Sequence, residues 1–447
     1  MVLALAIVGA ETAPSPPDRP PGVDEVIAAV SAAHLRATID TLESFGTRHT
    51  LSDTESDVRG IGAARRWLHD ELKKIADESG RDDITVELMT HIQPPTQRVP
   101  QETEIVNVVM IIPGRMEGAR DNYFVVLGHY DSRAAGTNDA ESDAPGANDD
   151  GSGTALVLEL ARVFAQPGNE CDATTVCLMT AGEEQGLLGA HWFARHAKDN
   201  NWNIVAGLSN DIIGDPSNPD GSVDDTRIRL FSEAIPRNAS AEEMARIRSL
   251  GMENDSPSRQ LARYVREVAE RHQTDVQPWI IYRTDRFLRG GDHTAFNEQG
   301  FAAVRFSEVE EQYDRQHQDV IMRDGRPYGD VGEYVDEEYL ADVTALNGAV
   351  LSTLANAPSA PPNARLITAG LRNDTTIRWD PSPEPDVAGY EIVYRDTTAP
   401  FWEQVIDAGS VGEFTINLSK DNYFFGVRAY DAEGHRSLVS FPGAAGR

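Results

Sequence analysis

Three long apolar segments of this chain run directly into residues that carry charge or polar groups. Runs of this length, rich in β-branched residues and bounded by polar residues, are typical of strands buried on both faces of a sheet. The segments and the residues that follow them are YFVVLG with His129, Tyr130 and Asp131, TTVCLMTAG with Glu183 and Glu184, and IVAGLSN with Asp211. In an open α/β sheet, ligands bind outside the carboxyl ends of the strands. The pattern therefore predicts that these residues meet at one edge of a sheet.

The rest of the region from residue 23 to residue 357 alternates between strand-like and helix-like segments. For example, GSGTALVLELARVF (residues 151–164) has the apolar spacing of a helix and lies between two of the apolar strands. This alternation predicts a three-layer α/β/α sandwich around a mixed, largely parallel sheet. Residues 215–260 are polar and rich in Asp, Ser, Pro and Asn. They are interpreted as an insertion over one face, with a lid as one possibility.

Two proline-rich segments divide the chain, which at 447 residues is too long for one compact core. They are APSPPDRPPG (13–22) and APSAPPNA (357–364). The predicted domains are a leader and tether over 1–22, a large domain over 23–357, and a linker with a small domain over 358–447.

The small domain contains short alternating segments separated by turns, such as AGYEIVYRD and NYFFGVRAYD. This spacing predicts an all-β sandwich, with Trp379 in its core. Tyr423 is placed like the tyrosine corner of such sandwiches, and the segment resembles a fibronectin type III module. A resemblance of this kind implies a fold rather than an activity.

The chain opens with the apolar segment MVLALAIVGAETA, which is similar to the apolar region of a signal peptide. It lacks a basic start, so the prediction is a secreted or periplasmic protein whose signal peptide is truncated or misassigned. The segment is too short to span a membrane, and the sequence has no other long apolar segment, so no membrane insertion is expected.

Charge and cysteine content narrow the functional classes. The net charge of -32 argues against a nucleic-acid partner, because the protein repels polyanions. Two cysteines cannot build a disulfide framework, and no CxxC metal site is present. Cys177 is interpreted as a buried small residue in its strand, with a pairing to Cys171 as the alternative.

The charged residues at the predicted strand ends indicate a metal site. Asp149 and Asp150, in PGANDDGSG at the start of a predicted helix, face the same region. Each residue alone is more often structural, but several buried carboxylates together need cations to neutralise them. Histidine and carboxylate side chains suit a divalent metal ion such as zinc. A phosphate-binding loop is disfavoured, since no GK[ST] follows the glycines.

The motifs HYD, PGANDDGSG, GEEQGLLG and SND, in this order, resemble the co-catalytic di-zinc peptidase family of secreted bacterial leucyl aminopeptidases. Relatives of that family include glutamate carboxypeptidases and glutaminyl cyclases. The resemblance covers roughly residues 35–357 and implies two Zn²⁺ per chain. It implies that Asp149 bridges the two ions, that Glu184 binds one, and that His129 and Asp211 bind the other.

The resemblance also implies roles for two neighbouring aspartates. Asp131 would accept a hydrogen bond from the His129 ring and fix its tautomer. Asp150 would follow the bridging residue across a peptide bond that is often cis in this family.

The fifth ligand is a histidine for which the sequence offers two candidates. His317, which is followed by Asp319, fits the family pattern better than His293. His293 and Asp292 would then line the site without binding metal. Many relatives have a tyrosine immediately before this histidine, but this chain has Gln316. Tyr313, Tyr282 and His293 are the alternative residues that could stabilise the oxyanion.

The predicted activity is that of an exported zinc metallo-exopeptidase, an aminopeptidase that hydrolyses N-terminal residues from peptides or proteins. Glu183 would act as the general base for a metal-bridging hydroxide. The alternatives are a zinc carboxypeptidase, a glutaminyl cyclase, or a non-catalytic adhesion protein. Nearby arginines, Arg283, Arg286 and Arg289, either neutralise local acidity or bind a substrate carboxylate. The C-terminal β-sandwich would contact substrate, cell wall or the catalytic domain.

Overall fold

The computed structural model describes residues 17–369 and 372–444 and divides the chain into two compact units. The larger unit is Gly22–Asn356, and the smaller unit comprises the described parts of Met1–Pro21 and Ala357–Arg447. Most of the predicted leader lies outside the described residues. None of the helices in the described ranges combines the length and apolarity that a membrane span requires.

The larger unit contains helices and strands in alternation over most of its length. Its helices are α1 (Val23–Ala29), α2 (Ala32–Ser44), α3 (Gly60–Ser79), α4 (Gly151–Ala165), α5 (Leu188–Asp199), α6 (Ala241–Leu250), α7 (Pro257–His272), α8 (His293–Glu298) and α9 (Glu337–Ala355). Its strands are β1 (Thr85–Gln93), β2 (Thr103–Ile112), β3 (Asn122–His129), β4 (Thr174–Thr180), β5 (Asn203–Asn210), β6 (Arg227–Ser232), β7 (Gln277–Ile281), β8 (Ala303–Ser307), β9 (Ile321–Arg323) and β10 (Arg326–Tyr328).

One mixed sheet with the strand order β1-β2-β4-β3-β5-β8-β6-β7 forms the centre of this unit. The four adjacent strands β4, β3, β5 and β8 are parallel, which confirms the prediction of a mixed, largely parallel sheet. His129 pairs in register with Thr180, and Leu127 with Ser209. The segments that follow β3, β4 and β5 therefore leave the sheet at the same edge.

Helices cover both faces of the sheet. On one face, Val125 and Leu127 of β3 pack in a buried apolar cluster with residues of α5 and α8, among them Phe193 and Phe296. Helix α4 lies on the other face, where β3 approaches it very closely. A side-chain carbon at Gly128 would lie 2.6 Å from the backbone of Gly153, so only glycine allows this approach. The close contact brings the start of α4 against the end of β3.

The first helical region consists of two helices, although its apolar spacing suits one long helix. The break falls at Ser31, whose hydroxyl caps α2 by accepting a hydrogen bond from the backbone N–H of His34. The backbone N–H of Ser31 donates to Glu159 of α4 at 2.7 Å. A contact with a residue 128 positions away thus ends α1, and local periodicity does not reveal it.

Residues 215–260 contribute a strand to the central sheet in addition to α6. We interpreted this segment as an insertion over one face, but β6 lies within the sheet, between β8 and β7. Ile228 and Leu230 are buried and alternate with Arg227 and Arg229. This alternation covers only a few residues within a polar region, so the strand depends on its pairing with β8 and β7.

The smaller unit contains two small sheets that confirm the predicted β-sandwich class. The strands are β11 (Arg365–Leu366), β12 (Thr375–Arg378), β13 (Val387–Asp396), β14 (Gln404–Gly409), β15 (Glu413–Ile416), β16 (Tyr423–Asp431) and β17 (Gly443–Ala444). The strand orders of the two sheets are β15-β12-β11-β17 and β14-β13-β16. Trp379 is buried in the core with Phe425 and Val427, as predicted, and Tyr423 packs at its margin. The fibronectin type III assignment stays a resemblance.

Candidate metal centre

The start of α4 holds two of the predicted site residues in fixed positions. Asp150 caps the helix by accepting a hydrogen bond from the N–H of Gly153 at 2.9 Å. Its other carboxylate oxygen accepts a hydrogen bond from the backbone N–H of His129 at 2.9 Å. The peptide bond between Asp149 and Asp150 is cis. Asp150 therefore ties the end of β3 to the loop that carries Asp149.

A first triad of candidate ligands consists of His129, Asp149 and Asp211. The Nε2 atom of His129 lies 3.3 Å from Oδ1 of Asp149 and 3.8 Å from Oδ1 of Asp211. All three side chains are buried. They come from the end of β3, the start of α4 and the residue after β5, so regular elements position each of them.

A second triad consists of Asp149, Glu184 and His317. Nε2 of His317 lies 2.9 Å from Oδ2 of Asp149 and 2.9 Å from Oε1 of Glu184. Asp149 thus belongs to both triads, with Oδ1 beside His129 and Oδ2 beside His317. Within each triad the three candidate ligand atoms lie within 4.8 Å of one another.

The donor atoms of the two triads fit zinc, which binds histidine nitrogen and carboxylate oxygen. Two of them, Nε2 of His129 and Oε1 of Glu184, are buried and have no hydrogen-bond partner among the described residues. Buried polar atoms are normally satisfied, so atoms left without a partner indicate a missing ligand. A divalent ion in each triad would satisfy both.

The electrostatics of the triads also indicate a need for positive charge. Burial lowers the pKa of His317, but the charges of Glu184 and Asp149 outweigh it and raise that pKa to about 10. Burial also lowers the pKa of His129, but the adjacent carboxylates of Asp131, Asp149 and Asp211 outweigh it and raise that pKa well above its usual value. Each histidine would hold a proton in this acidic surrounding unless a metal ion took its place.

The ring of His129 is oriented by Asp131, but the contact differs from the expected one. Nδ1 lies 3.1 Å from the backbone oxygen of Asp131 and 3.6 Å from its carboxylate. The carboxylate instead accepts hydrogen bonds from the backbone N–H groups of Glu183 and Glu184, each at 3.2 Å. Asp131 therefore positions the turn that carries both glutamates, while its carbonyl fixes the histidine ring.

Glu183 lies outside both triads and lines the cavity into which they open. This cavity has a volume of about 430 Å³, and Asp149, Glu184, Asp211 and His317 also line it. Burial, together with the charges of Asp211 and Glu184, raises the pKa of Glu183 well above its usual value, against the opposing effect of His129. A carboxyl group with a raised pKa is suited to accept and return a proton.

Arg305 supports the first triad and was not identified from the sequence. Its guanidinium is fully buried and lies 3.1 Å from Oδ2 of Asp211 and 3.2 Å from Oδ2 of Asp285. It therefore holds the oxygen of Asp211 that does not face His129. An arginine within the apolar strand AAVRFS was the available signal, because a buried charge needs a partner.

Arg48 is a second buried arginine that the sequence did not identify. Its guanidinium donates hydrogen bonds to the carbonyls of Tyr130 at 2.7 Å, Leu42 at 3.1 Å and Gly146 at 2.9 Å. It also donates to the carbonyl of Pro145. Arg48 thus ties the loop after β3 to the loop that precedes Asp149.

The loop before α4 is also held by Asp330. Its carboxylate accepts hydrogen bonds from the backbone N–H groups of Asn148 at 2.9 Å and Asp149 at 2.7 Å. Burial raises the pKa of Asp330 to about 7. No local pattern in the sequence indicates this contact, since 181 residues separate Asp330 from Asp149.

The remaining predicted residues lie around the site without lining the cavity as the structure describes it. Asp292 accepts a hydrogen bond from the hydroxyl of Thr180. The ring of His293 is buried, with Nε2 2.8 Å from the carbonyl of Thr284. Tyr313 is 60% exposed. Asp292, His293 and Tyr313 therefore do not line this cavity, and their roles beside the reacting groups stay predictions.

Gln316 occupies the place next to the triads instead of a tyrosine. It lines the cavity, and its Nε2 donates a hydrogen bond to Oδ2 of Asp149 at 3.0 Å. Its amide oxygen is buried without a hydrogen-bond partner among the described residues. Gln316 therefore orients the shared aspartate.

The arginines near the site differ in their contacts. Arg286 forms ion pairs with Asp285 and Glu311 and so neutralises local acidity, as predicted. Arg283 stacks on the ring of Phe287 at 3.4 Å. Arg289 lines the cavity.

Comparison with known proteins relates the chain to proteases. The family model described as "Peptidase family M28" matches residues 107–324. A "probable zinc metalloprotease" of Leptosphaeria maculans is 44% identical over 421 residues, which cover 94% of this chain and 96% of the relative. One from Pyrenophora teres f. teres is 43% identical over 438 residues, covering 97% of this chain and 89% of the relative.

Solved structures share the fold at lower identity. LapB from Legionella pneumophila matches with a TM-score of 0.54 and 18% identity, covering 75% of this chain and 76% of that chain. The LapA aminopeptidase of the same organism matches with a TM-score of 0.52 and 19% identity, covering 75% and 74%. At this identity the likeness concerns the fold alone.

Proposed function

The chain belongs to the zinc metalloproteases of peptidase family M28, and we propose that it is an aminopeptidase that uses two zinc ions to remove N-terminal residues from peptides. Its relatives are named probable zinc metalloproteases, and these names describe zinc-dependent hydrolysis of peptide bonds. The release of single residues from the amino end, the number of ions and the roles of individual residues are our proposals.

The observation that carries the proposal is the pair of triads that share Asp149. Each triad offers a zinc ion one histidine nitrogen and two carboxylate oxygens. Such a set leaves coordination positions open for substrate, which is typical of catalytic rather than structural zinc sites. In the first triad, Arg305 holds the outer oxygen of Asp211, so that its inner oxygen faces His129.

Bound zinc would polarise the scissile carbonyl and lower the pKa of water in the cavity. Glu183 would accept the proton of the attacking water and deliver it to the leaving amine. Because Asp131 binds the backbone N–H groups of both glutamates, it keeps Glu183 directed at the cavity while Glu184 faces the second triad. Gln316 would keep Asp149 oriented between the two triads.

The size of the cavity and the position of Glu183 support the release of a terminal residue. A volume of about 430 Å³ accommodates the end of a peptide rather than a folded segment. Four carboxylates line the cavity, and Glu183 is the one that belongs to neither triad. This carboxylate would also attract the positively charged amino end of a peptide.

The test uses the purified protein and leucine p-nitroanilide, with its N-acetylated form as the matched control. We expect hydrolysis of the free amine, little hydrolysis of the acetylated amide, and loss of activity after treatment with a chelator that zinc reverses. If the acetylated amide were cleaved as fast as the free amine, release from the amino end would be wrong. Cleavage of N-acetylated peptides at their free carboxyl end would instead identify a carboxypeptidase.

Export is a further proposal, and it rests on the apolar segment at residues 2–8 and the small residues that follow it. N-terminal sequencing of the protein recovered from culture medium would test it. Retention of the intact apolar segment in a protein found only inside cells would contradict export.

A further inference from the structure

We propose that Arg98, Arg133 and Arg289 form a carboxylate-binding subsite in the cavity of the metal centre. This subsite would favour peptides that carry a carboxylate close to the scissile bond. The inference rests on the proposed peptidase function and adds a substrate class to it. All three arginines line the cavity together with four triad residues, Asp149, Glu184, Asp211 and His317.

Two of these arginines adjoin Glu184, and neither forms an ion pair with a carboxylate outside the triads in the part of the chain that the structure describes. Nη1 of Arg98 donates a hydrogen bond to the backbone oxygen of Glu184 at 3.1 Å. Nε of Arg133 lies 3.8 Å from Oε2 of Glu184, and its nearest hydrogen-bond acceptor is the carbonyl of Ala134 at 3.4 Å. Glu184 belongs to the second triad, so a zinc ion bound there would weaken the attraction between Glu184 and Arg133.

The third arginine lies on the loop after β7. The guanidinium of Arg289 is 5.6 Å from the ring centre of Tyr313, and no carboxylate among the described residues forms an ion pair with it. Arg286 on the same loop is the contrasting case, because Asp285 and Glu311 both pair with it. Of the four arginines that line the cavity, Arg286 is thus the one that acids outside the triads neutralise among the described residues.

The balance of charge in the cavity decides what these arginines can bind. Four carboxylates and four arginines line it. When zinc is bound, the metal ions neutralise the carboxylates of the triads, and Arg98, Arg133 and Arg289 leave a surplus of positive charge. A guanidinium binds a carboxylate through two parallel hydrogen bonds, which gives both strength and orientation.

The carboxylate could come from two parts of a substrate. One source is the side chain of an aspartate or glutamate near the scissile bond, and the other is the free C-terminus of a very short peptide. Leu187 and Leu288 also line the cavity and would contact the apolar part of either substrate. The chemistry recognised by the arginines is the same in both cases, so the two sources need separate substrates in the test.

The experiment compares matched peptides that differ by one charge. Leu-Glu-Ala-amide against Leu-Gln-Ala-amide tests a side-chain carboxylate, and Leu-Ala against Leu-Ala-amide tests a C-terminal one. Dissociation constants are measured on the zinc-loaded Glu183→Gln protein, and kcat/KM on the otherwise unaltered enzyme. We expect the charged member of at least one pair to be favoured by about tenfold to a hundredfold, the usual strength of a charge-assisted hydrogen bond.

Variants then assign the preference to the arginines. Arg289→Gln and Arg133→Gln should each reduce the preference, measured as the ratio between the charged and the neutral peptide of a pair, by about tenfold. Arg289 is exposed, so its replacement should not disturb folding. Arg246→Gln is the matched control, because Arg246 is an exposed arginine of α6 that does not line the cavity.

Equal binding of both members of both pairs would overturn the subsite, as would a preference that survives in Arg289→Gln and in Arg133→Gln. Neither result would contradict the proposed aminopeptidase activity, which is measured separately by the hydrolysis of Leu-Gln-Ala-amide. Conversely, a charge preference in binding without release of leucine would support the subsite and contradict the aminopeptidase.

Discussion

The two triads share Asp149 but are built from different kinds of structure. The first triad takes His129 and Asp211 from the ends of neighbouring strands, and the side chain of His129 is 2% exposed. The second triad takes His317 from the loop between β8 and β9, where its side chain is 21% exposed. His317 also has a positive φ of 52°, which is uncommon for a residue with a side chain.

This difference shows how one site combines a rigid half with a half that depends on a loop. The sheet and Arg305 position the first triad. The loop of the second triad is held at its base by Asp319, whose carboxylate accepts a hydrogen bond from the backbone N–H of Ala135 at 3.2 Å. We therefore expect the metal ion in the second triad to exchange more readily.

The largest effect is expected from Glu183→Gln, which separates metal binding from proton transfer. Glu183 belongs to neither triad, so the variant should keep its full zinc content. The loss of the general base should lower kcat by about 10²–10⁴-fold. Zinc content and kcat are measured on the same preparation. Full activity would contradict the role of Glu183, and loss of zinc would show that it acts as a ligand.

The next largest effect is expected from Arg305→Met, which breaks the support of the first triad. Removal of one partner of a buried charge cluster leaves Asp211 without its arginine, which costs about 3–5 kcal/mol of the free energy of unfolding. Denaturant unfolding of the metal-free protein measures it. The matched control is Arg195→Met, at an exposed position of α5. Equal stability of the two variants would show that Arg305 does not support the triad.

His317→Ala removes the loop ligand and should affect only the second triad. We expect the zinc content to fall by one ion per chain relative to the unaltered protein, because the affinity of the second triad for zinc drops by about tenfold to a hundredfold. His293→Ala is the control, since the ring of His293 hydrogen-bonds the carbonyl of Thr284 and lies outside both triads. Loss of zinc in His293→Ala with retention in His317→Ala would reverse the choice of ligand.

The smallest effect is expected from Asp319→Ala, which loosens the base of the loop without removing a ligand. The loss of one partly exposed hydrogen bond should cost about 1 kcal/mol, or about fivefold in affinity for the second zinc ion. A competition titration with a fluorescent chelator measures both ions separately. A weaker first ion with an unchanged second ion would show that the two halves do not differ as described.

Much of the fold and of the site could be predicted from local patterns. The continuous apolar runs before His129, Glu183 and Asp211 indicated buried parallel strands, and the topology rule placed their ends at one edge. The structure brings the five predicted ligands together there. Strand β6 was missed, because its short alternation gains its stability from pairing with β8 and β7.

The contacts that support the site could not be predicted from the sequence, because their partners lie far apart along the chain. Arg48 binds carbonyls more than 80 residues away, and Asp330 binds a backbone N–H 181 residues away. Such contacts depend on how loops from distant parts of the chain pack together. No periodicity or spacing within the sequence shows which loops will pack together.

Local sequence patterns were enough to locate the strand ends, to identify residue types that suit zinc and to indicate a peptidase family. The sequence favoured His317 over His293 through the family pattern, but the fold was needed to bring His317 to Asp149 and Glu184, because the two histidines are chemically identical and differ in position alone. The fold also decided that the arginine beside the predicted metal ligand Asp211 is Arg305. Local sequence fixes what a side chain can bind, whereas the packing of distant segments fixes what it reaches.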